Sequence, residues 1–202
     1  DNRRSRGLGD VYKRQDKNDL GLHGGLIDEG SMALIRNGNV TGERKRIDRG
    51  FSVTGMALGE SSLYETLINE ATVLFRGANY THEVDTIKEL DNFVSINSAI
   101  EVDLFGQVNS EFAGGKQLSG TGGAVDFMRA AKTSSGGRSI IAMNATAKGG
   151  KKSKIVPKVE MVTALRTDVD IVVTEFGVAR IKDLPVKAVS YTHLRAHETF
   201  GY

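Results

Sequence analysis

The middle of the chain alternates between two spacings of apolar residues, one typical of strands and one typical of helices. Short apolar and β-branched runs predict strands at 51–58, 72–75, 93–96, 100–104, 139–143 and 169–174. Apolar residues three and four positions apart predict helices at 31–37, from 61 or 62 onward, at 81–90 and at 125–131. Because strands and helices alternate with short glycine turns, we expect an α/β fold on a mostly parallel sheet, in one domain.

Both ends of the chain depart from this pattern. The strings at 5–15 and 189–199 resemble translated sequencing-adapter read-through, which occurs at the ends of unrelated metagenomic fragments. A genuine basic tail and a short C-terminal helix are the alternative. We expect residues 1–15 and 188–202 to be non-native flanks and residues 16–187 to form the folded domain.

Composition is that of an ordinary globular protein and excludes several kinds of site. Of 202 residues, 39% are hydrophobic and 26% are charged, and cysteine is absent. Disulfides, cysteine-ligated zinc and thiol nucleophiles are therefore excluded. Since no apolar run approaches the roughly 20 residues of a membrane helix, we expect a cytoplasmic protein without a membrane partner.

The formal charge of +2 comes from the ends of the chain. The flanks hold six basic and three acidic residues, and without them 21 basic and 22 acidic side chains remain. A nearly neutral domain gives no indication of nucleic-acid binding. The C-terminal flank contains His193, His197 and Glu198, which have the spacing of a zinc pair but not the metalloprotease order. We predict no metal site.

Glycine is unusually abundant, with 24 copies, and one cluster of glycines indicates ligand binding. Gly120, Gly122 and Gly123 lie just before the helix predicted at 125–131. Backbone without side chains, next to helix N–H groups, suits a phosphate or a developing oxyanion. The spacing matches neither the dinucleotide fingerprint nor the P-loop, and a plain strand-to-helix turn is the alternative.

Three other groups of polar residues are candidates. His23 precedes a pair of glycines. Glu101 and Asp103 share one face of a predicted strand, either as a paired-carboxylate site or as an ordinary polar face. Five lysines between 148 and 158 form either a solvated loop or a counter-charge for a phosphorylated ligand.

Several long segments, taken in order, resemble one family. They are 20–23, 92–109, 119–127, 137–142, 153–157 and 172–177. Over nearly all of residues 19–184 the chain is similar to the C-terminal domain of the acetyl-CoA hydrolase/transferase family, which includes 4-hydroxybutyrate and acetate CoA-transferases. The resemblance implies a three-layer, mostly parallel α/β fold of the NagB/RpiA-like kind. It also implies a second α/β domain before this one and further helices after it.

The chemistry that the resemblance implies begins with attack of a glutamate carboxylate on an acyl-CoA thioester. An acyl-glutamyl anhydride forms, and the CoA thiolate returns to give a glutamyl-CoA thioester and to release the acyl group as a carboxylate. A small carboxylate then takes the CoA in a transferase, whereas in a hydrolase water takes the acyl group from the anhydride. Gly120, Gly122 and Gly123 match the family's glycine segment and are expected to contact CoA and stabilise the oxyanion. Coenzyme A would be a substrate rather than a permanently bound cofactor, and a homodimer is compatible with the resemblance.

One position departs from the family. The nucleophilic glutamate of the compared transferases lies two residues after the histidine, where this chain has Gly25. We expect His23, Gly24 and Gly25 to line the substrate pocket, and Glu29 is the replacement candidate for the nucleophile. The chain then either processes acyl-CoA, by water attack or a relocated carboxylate, or binds acyl-CoA without covalent glutamyl chemistry. A nucleotide-binding oxidoreductase module is a third alternative.

Overall fold

The structure of the protein, a computed structural model, describes residues 17–188. Both predicted flanks, except for Ala188, lie outside the described residues. The same holds for the zinc-like set in the C-terminal flank, which consists of His193, His197 and Glu198.

The chain divides after Asp91 into two compact units. This division falls inside the predicted domain of residues 16–187, whose boundaries stay a prediction. The described part of the first unit contains short strands and helices that alternate. In chain order they are β1 (Leu26–Ile27), α1 (Glu29–Arg36), β2 (Ser52–Thr54), β3 (Met56–Ala57), α2 (Ser61–Ile68), β4 (Val73–Phe75), α3 (Ala78–Thr81) and α4 (Val84–Ile87).

The strands of the first unit pair in parallel. β1 pairs with β3, β2 pairs with β4, and His23 forms a further parallel bridge with Val53. The chain from 22 to 27 therefore runs beside the chain from 53 to 58. Parallel neighbours need a crossover connection, which α1 and α2 provide. Their buried residues form the core of this unit, which includes Ile27, Met32, Leu63 and Val73.

Helix α1 begins at Glu29 because Asp28 caps its first turn. The Asp28 Oδ1 atom accepts a hydrogen bond from Ser31 N at 2.8 Å, which satisfies one of the N–H groups left open at a helix start. The predicted start at Ser31 is therefore two residues late. The end at Arg36 lies within one residue of the prediction, and Gly38 follows with a positive φ of 76°.

Two predicted elements of the first unit are interrupted in the structure. The strand predicted at 51–58 is interrupted at Gly55, since its first part pairs with β4 and its second part with β1. The helix predicted at 81–90 is reduced to the single turn α4, because α3 ends at Thr81 and Glu83 between the two turns is extended, with φ −72° and ψ 123°. Apolar spacing alone carries no signal for either interruption.

The described part of the second unit builds a main sheet, a smaller sheet and two hairpins. In chain order its elements are β5 (Val94–Asn97), β6 (Glu101–Asp103), β7 (Val108–Asn109), β8 (Phe112–Ala113), β9 (Lys116–Gln117), α5 (Ala124–Thr133), β10 (Arg138–Ala142), β11 (Thr146–Ala147), β12 (Lys152–Ser153), β13 (Ile155–Val156), β14 (Ile171–Thr174), β15 (Gly177–Arg180) and α6 (Val186–Ala188). The main sheet has the order β15-β14-β10-β5, and the small sheet has the order β13-β6-β7. Strand β15 is antiparallel to its neighbour, whereas the other pairs of the main sheet are parallel. The hairpins are β8-β9 and β11-β12.

Helix α5 packs on the main sheet and closes the core of the second unit. Ile141 and Val172 are register partners on β10 and β14, and both are fully buried. Met128 of α5 belongs to the same apolar cluster. The predicted α/β class is confirmed by this arrangement, while the three-layer and NagB/RpiA-like details stay predictions.

The carboxylates of Glu101 and Asp103 have separate structural partners. Asp103 is fully buried, and its Oδ1 atom accepts from Phe105 N and Gln107 N, each at 2.9 Å. The Glu101 carboxylate accepts from Lys152 Nζ at 2.8 Å. Asp103 thus closes the turn between β6 and β7, and this geometry does not support the paired-carboxylate alternative.

Replacing Asp103 with alanine should destabilise the chain, because two backbone N–H groups in a buried turn would lose their acceptor. We expect the free energy of unfolding, measured by urea denaturation, to fall by about 3 kcal/mol. Glu160→Ala removes an exposed carboxylate from the same unit and serves as the control, with an expected change below about 0.5 kcal/mol. Equal losses in the two variants would contradict the role of Asp103.

Candidate functional site

His23, Gly24 and Gly25 lie at a bend in the strand segment 22–27. Gly24 N donates to Val53 O, and Met56 N donates to Gly25 O, each at 3.0 Å. The chain bends between these two hydrogen bonds, in the stretch that joins the His23 bridge to β1. Backbone hydrogen bonds therefore hold the three predicted pocket residues on both sides of the bend.

The imidazole of His23 is buried and directed at a backbone carbonyl. Its Nε2 atom lies 3.2 Å from Thr81 O, and because a carbonyl only accepts, Nε2 carries the hydrogen. The ring of Tyr80 lies beside it, with ring centroids 6.0 Å apart. Burial, followed by the charge of Lys45, lowers the pKa of His23 to about 4. The imidazole is therefore neutral at pH 7.

Lys45 lies buried beside the same strand segment. Its Nζ atom donates to Phe51 O at 2.8 Å and to Leu22 O at 3.3 Å, and burial lowers the pKa of this ammonium group. The aliphatic stem covers Gly21, where a Cβ atom would lie 2.9 Å from Lys45 Cγ. Nothing in the sequence marked Lys45, because it stands between two arginines in a basic run.

Asp48 and Tyr80 form a second polar contact close to His23. The Tyr80 hydroxyl donates to Asp48 Oδ2 at 2.8 Å, and burial, followed by this hydrogen bond, raises the pKa of Tyr80. Asp48 has a φ of 48°, a left-handed conformation that aspartate tolerates better than most residues. Tyr80 directly precedes Thr81, so one turn of chain supplies both the ring and the carbonyl that contact His23.

The backbone at Gly24 and Gly25 does not require glycine. Neither residue has a positive φ, and a Cβ atom at Gly24 would meet only Leu26 O, at 4.0 Å. Gly55 on the neighbouring segment differs, because its Cβ would lie 3.2 Å from Gly25 O, closer than nearly all Cβ contacts. The backbone angles at position 25 therefore admit a side chain.

Glu29 lies in the first turn of α1, and its carboxylate accepts a hydrogen bond from the backbone of another segment. The Oε1 atom accepts a hydrogen bond from Glu60 N at 2.6 Å. Glu60 is the N-cap residue of α2 and provides no side-chain cap of its own, so Glu29 satisfies an N–H group at the start of that helix. A Cβ atom at Gly59 would collide with this carboxylate, which explains the glycine there.

Gly120, Gly122 and Gly123 form an open loop that leads into α5. A Cβ atom at Gly120 or Gly122 would meet nothing within 4 Å, and Gly122 has a positive φ of 57°. Gly123 is the N-cap residue and supplies no side-chain acceptor. Helix N–H groups therefore point toward an exposed backbone loop, which is the geometry that suits a phosphate or an oxyanion.

The lysine run lies around the β11-β12 hairpin of the second unit. Lys152 pairs with Glu101 at 2.8 Å, and Lys148 and Lys151 are exposed beside the two glycines of the hairpin turn. This placement fits a solvated loop, and the counter-charge alternative stays a prediction. The glycine loop belongs to the same unit as these lysines, whereas His23 and Glu29 belong to the first unit.

Between residues 17 and 188, no group of three or more His, Cys, Asp or Glu side chains is arranged to hold a metal ion. None of the helices in that range is long and apolar enough to cross a bilayer.

Comparison with known proteins finds relatives over most of the chain. A family model for the acetyl-CoA hydrolase/transferase C-terminal domain matches residues 59–192. The 4-hydroxybutyrate coenzyme A transferase of Clostridium kluyveri is 42% identical over 171 residues, which are 83% of this chain and 40% of that protein.

Solved structures of relatives also match most of the chain. RipA from Yersinia pestis is 41% identical, with a TM-score of 0.86, over 92% of this chain and 42% of that chain. A 4-hydroxybutyrate CoA-transferase from Porphyromonas gingivalis is 34% identical, with a TM-score of 0.81, over 94% of this chain and 44% of that chain. This chain thus spans about two fifths of the length of the relatives it matches.

The environment of His23 should make the stability of the chain depend on acid. The folded-state pKa is about 4 and the unfolded value is about 6.5, so the unfolded chain binds the proton more readily. Stability is therefore complete above pH 6.5 and is lost as the pH falls toward 4. Relative to the wild-type chain, His23→Gln should reduce this loss by up to about 3 kcal/mol, measured by urea denaturation between pH 7 and pH 4. An imidazole titration by NMR with its midpoint near pH 6.5 would contradict this expectation.

Proposed function

Because the chain belongs to the acetyl-CoA hydrolase/transferase family, we propose that it moves coenzyme A between an acyl-CoA thioester and a small carboxylate, or hydrolyses the thioester. The relatives from Clostridium kluyveri and Porphyromonas gingivalis are named as 4-hydroxybutyrate CoA-transferases, and the family name includes hydrolysis. The structural observation that carries the proposal is the open glycine loop at the start of α5. It supplies free backbone at a helix N-terminus.

The glycine loop provides the donors that thioester chemistry needs. Attack on the thioester carbonyl converts its oxygen into an oxyanion, and preorganised N–H groups stabilise that charge more than they stabilise the ground state. Gly122 and Gly123 are the proposed donors, because they directly precede the first N–H groups of α5, at the positive end of the helix dipole. Gly120 is proposed to contact CoA, since the space around its Cα is open to a ligand.

This chain differs from the compared transferases in the group that is available to attack the thioester. Gly25 has no side chain and cannot attack a thioester. The Glu29 carboxylate would have to leave its hydrogen bond with Glu60 N to become a nucleophile. We therefore favour direct attack by water, which yields a free carboxylic acid and CoA, or by the acceptor carboxylate, which yields a mixed anhydride and the CoA thiolate. In the second case the thiolate then attacks the acceptor's carbonyl to complete the transfer.

Binding of acyl-CoA without thioester chemistry is the second candidate function, and Gly25 is the observation that favours it. The two candidates differ in one measurable respect, which is whether CoA is released. The second α/β domain and the homodimer, which the resemblance suggests, and the cytoplasmic location expected from the sequence stay predictions.

Installing a carboxylate at position 25 tests whether the rest of the site is intact. The test protein is a chimera in which this chain replaces the matching 171 residues of the Clostridium kluyveri transferase. With Gly25, we expect slow release of CoA from acetyl-CoA and no covalent enzyme-CoA adduct by mass spectrometry. Gly25→Glu should produce the adduct and raise CoA transfer to acetate by about 100-fold or more, because covalent catalysis divides one difficult step into two easier ones.

The same chimera distinguishes the alternatives. Glu29→Gln should leave CoA release unchanged, and loss of release in that variant would identify Glu29 as the nucleophile. Binding of acetyl-CoA by calorimetry without any release would support the second candidate. If neither binding nor release occurs in a folded chimera, the proposed function is wrong.

Alanine substitutions test the glycine loop in the 202-residue chain. Gly120→Ala adds a methyl group in open space at an ordinary φ, so stability should change by less than about 0.5 kcal/mol. Its affinity for acetyl-CoA, measured by calorimetry, should fall by about tenfold, since the methyl group would occupy space that the ligand needs.

Gly122→Ala adds backbone strain of about 1 kcal/mol because of its positive φ. Gly114→Ala is the matched control, because Gly114 has a φ of 62° and is equally open. Both variants should lose similar stability, and only Gly122→Ala should lose affinity for acetyl-CoA. Equal affinities in all three alanine variants would rule out a role of the loop in binding.

A further inference from the structure

Three side-chain contacts join three segments of the first unit into a closed ring around His23. The segments are the strand segment 22–25, the loop 42–51 and helix α3. Lys45 Nζ donates to Leu22 O and joins the loop to the strand segment. Tyr80 Oη donates to Asp48 Oδ2 and joins the helix to the loop. His23 Nε2 donates to Thr81 O and joins the strand segment to the helix. We call this set of three contacts the His23 ring, as distinct from the imidazole of His23 itself.

The contact made by Lys45 fixes the start of the two paired segments. Leu22 O already accepts from Val53 N at 3.0 Å, so the ammonium group is not needed to satisfy that carbonyl. By donating also to Phe51 O, Lys45 bridges the two segments just before their ladder begins. Burying an ammonium group is costly unless it is paired, which indicates that this bridge has a role beyond filling space.

The contact between Asp48 and Tyr80 fixes the opposite side of the ring. Asp48 lies on the same loop as Lys45, and its carbonyl accepts from Phe51 N at 3.0 Å, which closes the loop. Its negative charge opposes the effect of burial on Lys45. Through the Tyr80 hydroxyl, the loop also holds α3, whose Thr81 carbonyl receives the His23 hydrogen bond.

The residues that follow His23 have no side-chain contacts that could hold their conformation. Gly24 and Gly25 are consecutive glycines at a bend, and glycine has more conformational freedom to lose than any other residue. Without side chains, they contribute only backbone hydrogen bonds. Order at this bend therefore depends on its backbone hydrogen bonds with the neighbouring segment and on what holds Leu22 and His23, the residues directly before it.

We propose that Lys45, Asp48 and Tyr80 are positioning residues that hold the His23 imidazole and the Gly24-Gly25 bend in place for an acyl-CoA thioester. The proposal rests on the proposed function of this site. None of the three acts on the substrate itself. Lys45 acts through the backbone at Leu22, and the Asp48-Tyr80 pair acts through α3 and Thr81.

Two variants with matched controls test the proposal. Tyr80→Phe removes one hydroxyl and keeps the ring, and its control is Tyr64→Phe, which removes an exposed hydroxyl of the same unit. Lys45→Met removes the bridging ammonium group, and its control is Lys88→Met, an exposed cation that pairs with Asp85. The 202-residue chain is used for NMR and hydrogen exchange, and the chimera is used for kinetics.

Hydrogen exchange reports directly on the bend. The N–H groups of Gly24 and Met56 should exchange at least about tenfold faster in Tyr80→Phe and Lys45→Met than in the controls, because local opening becomes easier. The imidazole signals of His23 should shift in both variants. In Lys45→Met their titration midpoint should also rise, because the charge of Lys45 helps to lower the pKa of His23, and Asp48 and His82 remain as the other side chains that act on the imidazole.

Kinetics separate positioning from a purely structural role. In the chimera, kcat for acetyl-CoA should fall by about tenfold in both variants while KM stays within about twofold, since misplacement of a site affects the transition state most. Lost stability alone would speed exchange throughout the unit and leave kcat per folded molecule unchanged. An unchanged kcat in an active, folded chimera overturns the proposal.

Failure of this proposal is distinguishable from failure of the proposed function. If the parent chimera neither binds nor turns over acetyl-CoA, the proposed function is wrong, and the exchange and NMR data still decide whether the ring holds the bend. If the variants match their controls in exchange and in His23 signals, the positioning role is wrong whatever the activity.

Discussion

The parallel ladder between the segments 22–27 and 53–58 determines where the candidate pocket of the first unit lies. Its register places Leu26 against Met56 and Ile27 against Ala57. A shift of one residue would turn Ile27, which is fully buried, out of the core, so burial of this one side chain specifies the register strongly. The bend at Gly24 and Gly25 is then fixed opposite Gly55, where a Cβ atom would lie only 3.2 Å from Gly25 O. The position of residue 25 is thus a consequence of core packing.

In the second unit, the packing of α5 determines where the glycine loop lies. Met128, Ala130 and Ala131 of this helix are buried, and their burial sets its rotation against the main sheet. A helix that connects parallel strands runs against their direction, so its N-terminus is expected at the carboxyl ends of the strands. Ligands of α/β sheets bind at that edge. The glycine loop therefore owes its position to the buried face of α5, while the loop itself remains open.

Features that depend on neighbours in sequence were predictable, and features that depend on distant residues were not. The glycine loop and the helix after it could be recognised because a run of glycines before an apolar helix is a local signal. The start of α1 was placed two residues late because Ser31 and Asp28 are both good capping residues, and only the structure shows which one is extended. The contact of Glu29 with Glu60 joins residues 31 positions apart. Likewise, Lys45 is buried by segments on either side of its loop, and no spacing rule separates it from the exposed arginines beside it.

The glycines of this chain fall into two classes, and the difference bears on Gly25. A Cβ atom at Gly55 would crowd the Gly25 carbonyl oxygen, one at Gly59 would displace the Glu29 carboxylate, and Gly122 is favoured by its positive φ. Gly25 has no positive φ, so its backbone conformation does not explain why a side chain is absent. A buried, neutral His23 and a buried, bridged Lys45 lie beside this position, although burying such groups costs free energy. Position 25 thus follows a segment that two buried polar side chains hold in place, while it carries no carboxylate of its own.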